Sequence, residues 1–418
     1  MTCPYSEPEN AHEVISDSAR CLCGRYVKRC SHCAARNRAF ANYCRNCGTP
    51  LPPASGSWPA YKGGPRRLGV NAGPSDAECL TQSIDLRLRL GDPCRSLLGY
   101  DGHVVAVSLG GVVEIADPLQ TKSMCRFQAQ GPITAEPCIE NGILYLATRG
   151  QVTAYALAAM TLETPRVRPL WSVAVGGTPI QALTAAAGRV YVTVALPDRR
   201  ELQVIERLTV RVLHAARELS WVAGDPAGLR TVFFSETDDS VQLHVIGDEL
   251  TTHPVALRKL ASQPIALLGE TVFAVFGEGQ RLYRIDLASG VIEEPLEEDT
   301  QFFALTSYGD EWDRNSVRID NRGIQFSRAG VRDSFAPHER ATRGSPVIVH
   351  GCAVMVGMED GRVRLYNIAH LPRHEVWRIG EHSTAPITAL ASFDSYIVAG
   401  NQDGLVEVRE LVPKGAAA

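Results

Sequence analysis

Asp101-Gly102-His103-Val104-Val105-Ala106-Val107-Ser108-Leu109-Gly110-Gly111-Val112-Val113-Glu114-Ile115-Ala116-Asp117 is the stretch that decides the fold. Two short valine-rich runs flank a Leu-Gly-Gly turn, and a second glycine turn opens the first of them. Runs of this length are too short for an ordinary helix, and β-branched residues suit a pleated, buried surface. The same grammar returns in Asn141-Gly142-Ile143-Leu144-Tyr145-Leu146-Ala147-Thr148-Arg149-Gly150-Gln151-Val152-Thr153-Ala154-Tyr155. It returns again at Gly188–Val194, Gly269–Gly277, Gly357–Tyr366 and Gly400–Val408.

Working outward, eight such units begin near Arg95, Pro132, Pro179, Leu219, Gln263, Thr300, Gly344 and Ala385, about 41 residues apart on average. An all-strand repeat of ~40–45 residues is the signature of a β-propeller, with one four-stranded blade per repeat. The expected fold is therefore all-β, a propeller of about eight blades, with seven as the alternative because units four and six are degenerate. No amphipathic helix of ordinary length is present; Pro254-Val255-Ala256-Leu257-Arg258-Lys259-Leu260 comes nearest and is too short. Ahead of the first unit, Ile84, Leu86, Leu88 and Leu90 alternate with Asp85, Arg87 and Arg89. That period of two marks a half-buried strand, and pairing it with the last unit would close the ring and hide two open edges.

Leu170-Trp171-Ser172-Val173-Ala174-Val175-Gly176-Gly177 and Leu282-Tyr283-Arg284-Ile285-Asp286-Leu287-Ala288-Ser289-Gly290 resemble the quinoprotein-type propeller repeat. The last unit, Ala385-Pro386-Ile387 through Asp403-Gly404, is similar to a WD40 blade but has Val408-Arg409 where the closing Trp-Asp would stand. The resemblance spans about residues 95–411. It implies the fold, and it brings in a quinone-dependent dehydrogenase as a remote alternative function. Family members of that kind are exported and carry a vicinal disulfide, whereas this chain has no adjacent cysteine pair. Fold alone does not carry the chemistry.

The N-terminal segment reads differently. Cys30 and Cys33, then Cys44 and Cys47, form two Cys-x2-Cys pairs with ten residues between them. Two such knuckles supply four thiolates, the tetrahedral set Zn2+ takes in structural sites. A segment of ~25 residues buries too little core to fold alone, so bound metal would supply the folding energy. With Tyr43 before the second knuckle and Gly48-Thr49-Pro50-Leu51 after it, the segment resembles the short zinc-ribbon family; Ala34 stands where the first knuckle usually has glycine. Cys21 and Cys23 admit two readings: a second metal site with Cys3 and His12, or two ordinary reduced thiols. His32, inside the first knuckle, is expected to be exposed.

The expected organisation is a disordered N-terminus over 1–20, a zinc ribbon over 21–51, a Pro/Gly-rich linker over 52–79, the propeller over 80–412 and a frayed tail over 413–418. Charge is uneven along these parts. The whole chain is at −4, yet residues 18–70 carry ten Lys or Arg and no Asp or Glu. No stretch approaches the ~18–20 apolar residues that span a membrane. The first residues lack the basic and apolar regions of a secretory signal, so a reducing cytoplasm is expected. Cys79, Cys94, Cys125, Cys138 and Cys352 are scattered and read as small buried hydrophobes.

Catalytic constellations are thin. The histidines of residues 103–382 show no metal-ligand spacing; His370 and His374 are four apart but Pro372 interrupts them. Asp238-Asp239 and the run from Glu293 to Asp299 read as solvated loops. Two functions follow. The first is a non-catalytic cytoplasmic protein-interaction scaffold, a rigid platform with a tethered zinc arm. Its make-up is similar to propellers that bacterial operons couple to AAA+ ATPases and von Willebrand-type proteins. The second is nucleic-acid binding by the ribbon, with Arg25, Lys28, Arg29, Arg36, Arg38 and Arg45 on phosphates and Tyr26, Phe40 and Tyr43 either stacking on bases or forming the ribbon's small core.

Overall fold

The computed structural model describes residues 27–30, 32–33, 35–38, 44, 46–47, 70–71, 79–160, 167–206, 208–225, 230–236, 240–247, 249–257, 265–268, 270–277, 281–292, 302–305, 315–320, 323–328, 331–335, 347–349, 353–367, 374–380 and 383–413. The segment 1–20, Cys21, Cys23, most of 52–79, the acidic runs at 238–239 and 293–299, His370 and the end of the tail lie outside the described residues.

Strands β1 (Val27–Arg29) and β2 (Arg36–Arg38) form a separate hairpin. Strand β3 (Val70–Asn71) and strand β4 (Cys79–Arg89) follow. The first unit is β5 (Cys94–Tyr100), β6 (His103–Ser108), β7 (Val112–Asp117) and β8 (Lys122–Gln128), an antiparallel meander in chain order. Seven more units succeed it, opening with Ala135–Glu140, Thr178–Ala186, Glu218–Leu219, Ala266–Leu268, Phe302–Leu305, Val347–Val349 and Ile387–Phe393. These starts fall within a few residues of the repeat starts read from the sequence. Unit six, weak in sequence, still forms four strands, Phe302–Leu305, Asn315–Asp320, Gly323–Arg328 and Val331–Phe335. Unit four is irregular because its first strand is broken: Glu218–Leu219 and Ala223–Gly224 both pair with Thr231–Glu236. In unit five an isolated bridge between Ile285 and Ile292 stands beside three named strands. The helical content among the described residues is one turn, Leu157–Met160, and Pro254-Val255 ends a strand.

First strands of successive units touch one another: Ile387–Phe393 against β5, β5 against Ala135–Glu140, and Thr178–Ala186 against Ala223–Gly224. Units two and three join through a parallel pairing of Ala182 with Glu136, which makes one curled eight-stranded sheet. The core is accordingly a ring of seams. Leu98, Val105 and Ile115 of unit one pack with Leu144, Leu146 and Tyr155 of unit two. Leu144 aside, Val152 and Ala154 of unit two pack with Val190, Val192 and Val194 of unit three. A middle strand is covered on both faces by its neighbours, so β6 is buried throughout and reads as a continuous apolar run. The outer β8 alternates and is largely exposed.

Polar staples cross the inner seams at matching places. Thr388 Oγ1 donates to Cys94 O (2.6 Å), Arg95 Nε lies 2.8 Å from Glu136 Oε1, and Gln181 Nε2 donates to Leu219 O (2.8 Å). At the opposite end of the first strands, the Gly188 amide donates to the Glu140 carboxylate (3.2 Å). Two glycines let units eight and one close on each other. A Cβ on Gly99 would overlap the Phe393 ring, and one on Gly400 would overlap Cys94 Sγ.

The ring closes as the period-two pattern expects. β4 pairs antiparallel with Leu405–Pro413, from Leu405↔Arg89 to Pro413↔Cys79. Leu86, Leu88 and Leu90 are buried while Asp85, Arg87 and Arg89 are exposed. Each buried leucine contributes about 1.5–3 kcal/mol. Part of the stretch expected to be linker is strand instead. Val70–Asn71 hydrogen-bonds along Val347–Val349, because that first strand offers an open inner edge.

A polar cluster pins the closing strand to unit seven. Arg409 Nε donates to Glu407 Oε1 (3.0 Å), and its NH1 reaches Thr81 Oγ1 (3.3 Å) and Glu375 Oε1 (3.6 Å). The guanidinium also lies 4.9 Å from the Trp377 ring centre. The Thr81 amide and hydroxyl both donate to Glu375. Since Glu407 is buried, removing Arg409 leaves a carboxylate without its counter-charge. Arg409→Ala is expected to cost about 3 kcal/mol in urea unfolding, and adding Glu407→Leu is expected to recover part of it.

Units three and four meet at His214, His244 and Phe233. The imidazoles are 4.3 Å apart, and His244 stacks on Phe233 at 4.5 Å and 11°. His244 Nε2 pairs with Ser235 Oγ (2.8 Å) and Nδ1 with Thr252 Oγ1 (3.1 Å). Burial first, and the neighbouring His214 second, push His244 down to about 4 from 6.5. Below pH 6.5 the unfolded chain takes up a proton that the folded ring refuses until about pH 4. Stability is therefore full above 6.5 and declines as pH falls through that window, by on the order of 2 kcal/mol. Urea midpoints between pH 7.5 and 5 should show this decline, and His244→Gln should flatten it.

Candidate metal centre

The β1–β2 hairpin builds the site from its turn. Val27 pairs with Arg38, Lys28 with Asn37 and Arg29 with Arg36, and the Cys30 amide donates to Ala35 O (2.9 Å). This bond turns the first knuckle so that Cys30 and Cys33 face one side. The second knuckle brings Cys44 and Cys47 to the same point. Cys30 Sγ is 3.7 Å from Cys47 Sγ, Cys33 Sγ is 3.5 Å from Cys44 Sγ, and all four sulfurs lie within 4.8 Å of one another. A tetrahedron with Zn–S bonds of about 2.3 Å has edges of about 3.8 Å. The sulfur spacing fits one Zn2+.

Cys30 and Cys44 are buried, Cys33 is partly buried and Cys47 is exposed, so the centre has one open side. The groups around Cys44 favour its thiolate, while burial and the neighbouring sulfurs of Cys47 and Cys44 push the Cys33 thiol up to about 11. Asn37, 1 % exposed, sends its amide to Ala35 O (2.9 Å) and Cys44 Sγ (3.5 Å), and the Asn46 backbone amide donates to Cys44 Sγ (3.4 Å). Burial acts to raise the Cys44 thiol, but the amides of Asn46 and Cys47 with the Asn37 side chain outweigh it and hold Cys44 at about 6. Sulfurs this close cannot all ionise without a cation among them, and a divalent metal resolves that conflict.

All four cysteines named from the sequence thus meet, and His32 is exposed as expected. Lys28, Arg29, Arg36 and Arg38 lie on the two hairpin strands. Arg25, Tyr26, Phe40, Tyr43 and Arg45 lie outside the described residues, as do Cys21 and Cys23. Sequence reading missed Asn37. Its only signal is its place in the hairpin, three residues past Ala34 and on the strand that returns toward the second knuckle. It also missed the His214–His244 contact, since thirty residues separate the two and no motif spacing links them. Among the described residues, the group of Cys, His and carboxylate side chains placed to hold a metal is Cys30, Cys33, Cys44 and Cys47.

Comparison with known proteins agrees with both parts. Residues 29–51 match the zinc-ribbon domain family. No curated protein matches the chain. BamB from Moraxella catarrhalis is 16 % identical, over 80 % of this chain and 98 % of that one, with a TM-score of 0.59. The quinohemoprotein alcohol dehydrogenase from Comamonas testosteroni is 9 % identical, over 89 % and 82 %, at 0.57. The computationally designed Ika8 protein is 18 % identical, over 79 % and 100 %, at 0.58. Identities this low establish a shared fold and no shared activity. The chain joins a segment that matches the zinc-ribbon domain family to a β-propeller fold. No helix among the described residues is long and apolar enough to cross a membrane.

Cys44→Ser is expected to abolish stoichiometric zinc, read by metal analysis after dialysis. Asn37→Ala should keep the four ligands and weaken zinc affinity about 10–100-fold, read by competition with a chromophoric chelator.

Proposed function

We propose that this protein is a non-catalytic interaction scaffold: the propeller is the binding platform and the zinc ribbon is a second contact on an arm. The observation that carries this reading is the joining of a four-cysteine module to a propeller whose first strands are stapled across the boundaries of units eight and one, one and two, and three and four. Such a ring presents its turns in fixed positions, which suits recognition of a protein surface. The inner edge of unit seven is already taken by β3, which counts against a small-molecule centre at that place. The dehydrogenase likeness rests on fold alone. We place the protein in the reducing cytoplasm, where four thiolates stay available to zinc. For partners we favour other proteins, with a complex containing an AAA+ ATPase and a von Willebrand-type protein as the first to test.

Nucleic-acid binding is the second reading. It is favoured by the ten basic and no acidic residues of 18–70 and by the placing of Lys28, Arg29, Arg36 and Arg38 on one hairpin. Affinity purification of the full chain beside a Cys44→Ser/Cys47→Ser variant separates the two. Protein partners retained by both forms are the expected result. Nucleic acid recovered only with the intact zinc site, and lost about 1,000-fold in affinity between 50 and 200 mM salt, would reverse the ranking.

A further inference from the structure

The four sulfurs of the metal centre are alike in chemistry and unlike in cover. Cys30 and Cys44 are 2 % and 3 % exposed, Cys33 is partly buried, and Cys47 is exposed. A solute arriving from water therefore meets the Cys47 sulfur first. Cys44 is further engaged by amide donors, Asn37 Nδ2 at 3.5 Å and Asn46 N at 3.4 Å. Those donors occupy lone pairs that an attacking sulfur would need.

Distance sorts the sulfurs into pairs. Cys30 Sγ lies 3.7 Å from Cys47 Sγ, and Cys33 Sγ lies 3.5 Å from Cys44 Sγ. Each pair takes one cysteine from each knuckle, so the contacts cross the site. A bond between Cys30 and Cys47 would join positions 17 apart in the chain, and one between Cys33 and Cys44 positions 11 apart. β1 and β2 are three residues each, so the metal is the main tie between the two knuckles. A covalent bond across them would keep the knuckles joined after the metal has left.

The thiols of the propeller seams differ. Cys94, Cys125 and Cys138 are buried among apolar side chains. Burial pushes the Cys94 and Cys125 thiols up and keeps them inert. Among the described residues, an exposed sulfur with a second sulfur in reach is found at the metal centre.

We propose that Cys47 is a site of peroxide oxidation and Cys30 its resolving partner, so that oxidation turns the metal centre into a cross-knuckle disulfide and frees the metal. The oxidant is a hydroperoxide, hydrogen peroxide in the simplest case. The Cys47 thiolate attacks one peroxide oxygen, the O–O bond breaks and hydroxide leaves, which makes Cys47 a sulfenic acid. The Cys30 thiolate then attacks the Cys47 sulfur. An S–S bond forms, the S–O bond breaks and a second hydroxide leaves. Two solvent protons turn the hydroxides into water. The two thiolates have lost two electrons, and the peroxide has gained them. Two ligands remain, fewer than a structural zinc site needs. A second peroxide joins Cys33 to Cys44 in the same way. A dithiol reductant restores the thiolates, so the change is reversible. The switch does not depend on the scaffold reading.

Peroxide treatment of the zinc-loaded full chain, followed by peptide mapping, tests the assignment. Trypsin places Cys30 and Cys33 in residues 30–36, Cys44 in 39–45 and Cys47 in 46–62. Dimedone present during oxidation should label Cys47 about ten times more than Cys30, Cys33 or Cys44. Without dimedone, the first cross-link should join 30–36 to 46–62, and fragmentation should place it on Cys30. Zinc, read with a chromophoric chelator, should appear in step with that link. Dithiothreitol with added zinc should restore the starting state. First labelling at another cysteine, a first link inside either knuckle or to any cysteine but Cys30, or zinc release without a link would overturn the proposal. Cys47→His keeps a ligand that zinc accepts and removes the exposed sulfur. Its zinc loss to peroxide should be about ten times slower than that of the unaltered chain, and an equal rate would also overturn the proposal. If that variant binds no zinc, the peptide map of the unaltered chain decides alone.

Discussion

Antiparallel pairing of β4 with the last strand is the interaction on which the other seams depend. It joins Thr81 to Arg409 and Cys79 to Pro413, positions more than 300 apart in the chain. Together with the contacts of unit eight on unit one, Thr388 with Cys94 and Phe393 against Gly99, it makes the arc a ring. Without it, Leu405–Pro413 would present an unpaired edge, and Leu86, Leu88 and Leu90 would lose their cover. The entropy of closing so long a loop rises only slowly with its length, so a few buried leucines and an ordered ion cluster suffice to hold it.

Closure also ties the N-terminal arm to the ring at both ends of a short path. β3 enters at unit seven and β4 completes unit eight, so the arm meets the ring where it is sealed. Glu375 of unit seven and Arg409 of unit eight both reach Thr81 of the closing strand. The metal module is a separate two-stranded hairpin ahead of this path. Its own stability has a different origin: the two hairpin strands are three residues each, and four sulfurs around one metal supply what an apolar core cannot.

Much of this was legible in the sequence because strand repeats and metal knuckles both write themselves as spacing. Glycine turns and valine runs gave the unit starts to within a few residues, and the Ile84–Leu90 alternation gave the closing strand. Cys30, Cys33, Cys44 and Cys47 gave the metal centre. What escaped were features that spacing does not encode. Unit six folds as four strands although its sequence departs from the repeat. The split first strand of unit four and the strand at Val70–Asn71 arise from which edges are open, a property of the whole ring. Asn37 and the His214–His244 pair owe their roles to what surrounds them in space.

Hydrogen exchange along the closing strand tests the central claim most directly. The amides of Leu86 to Arg89 should exchange as slowly as those of Val406 to Val408, and both sets should lose protection together as urea is raised. Rapid exchange of the β4 amides in a chain whose Leu405–Pro413 strand stays protected would contradict the account, because it would show a ring that holds without the N-terminal strand.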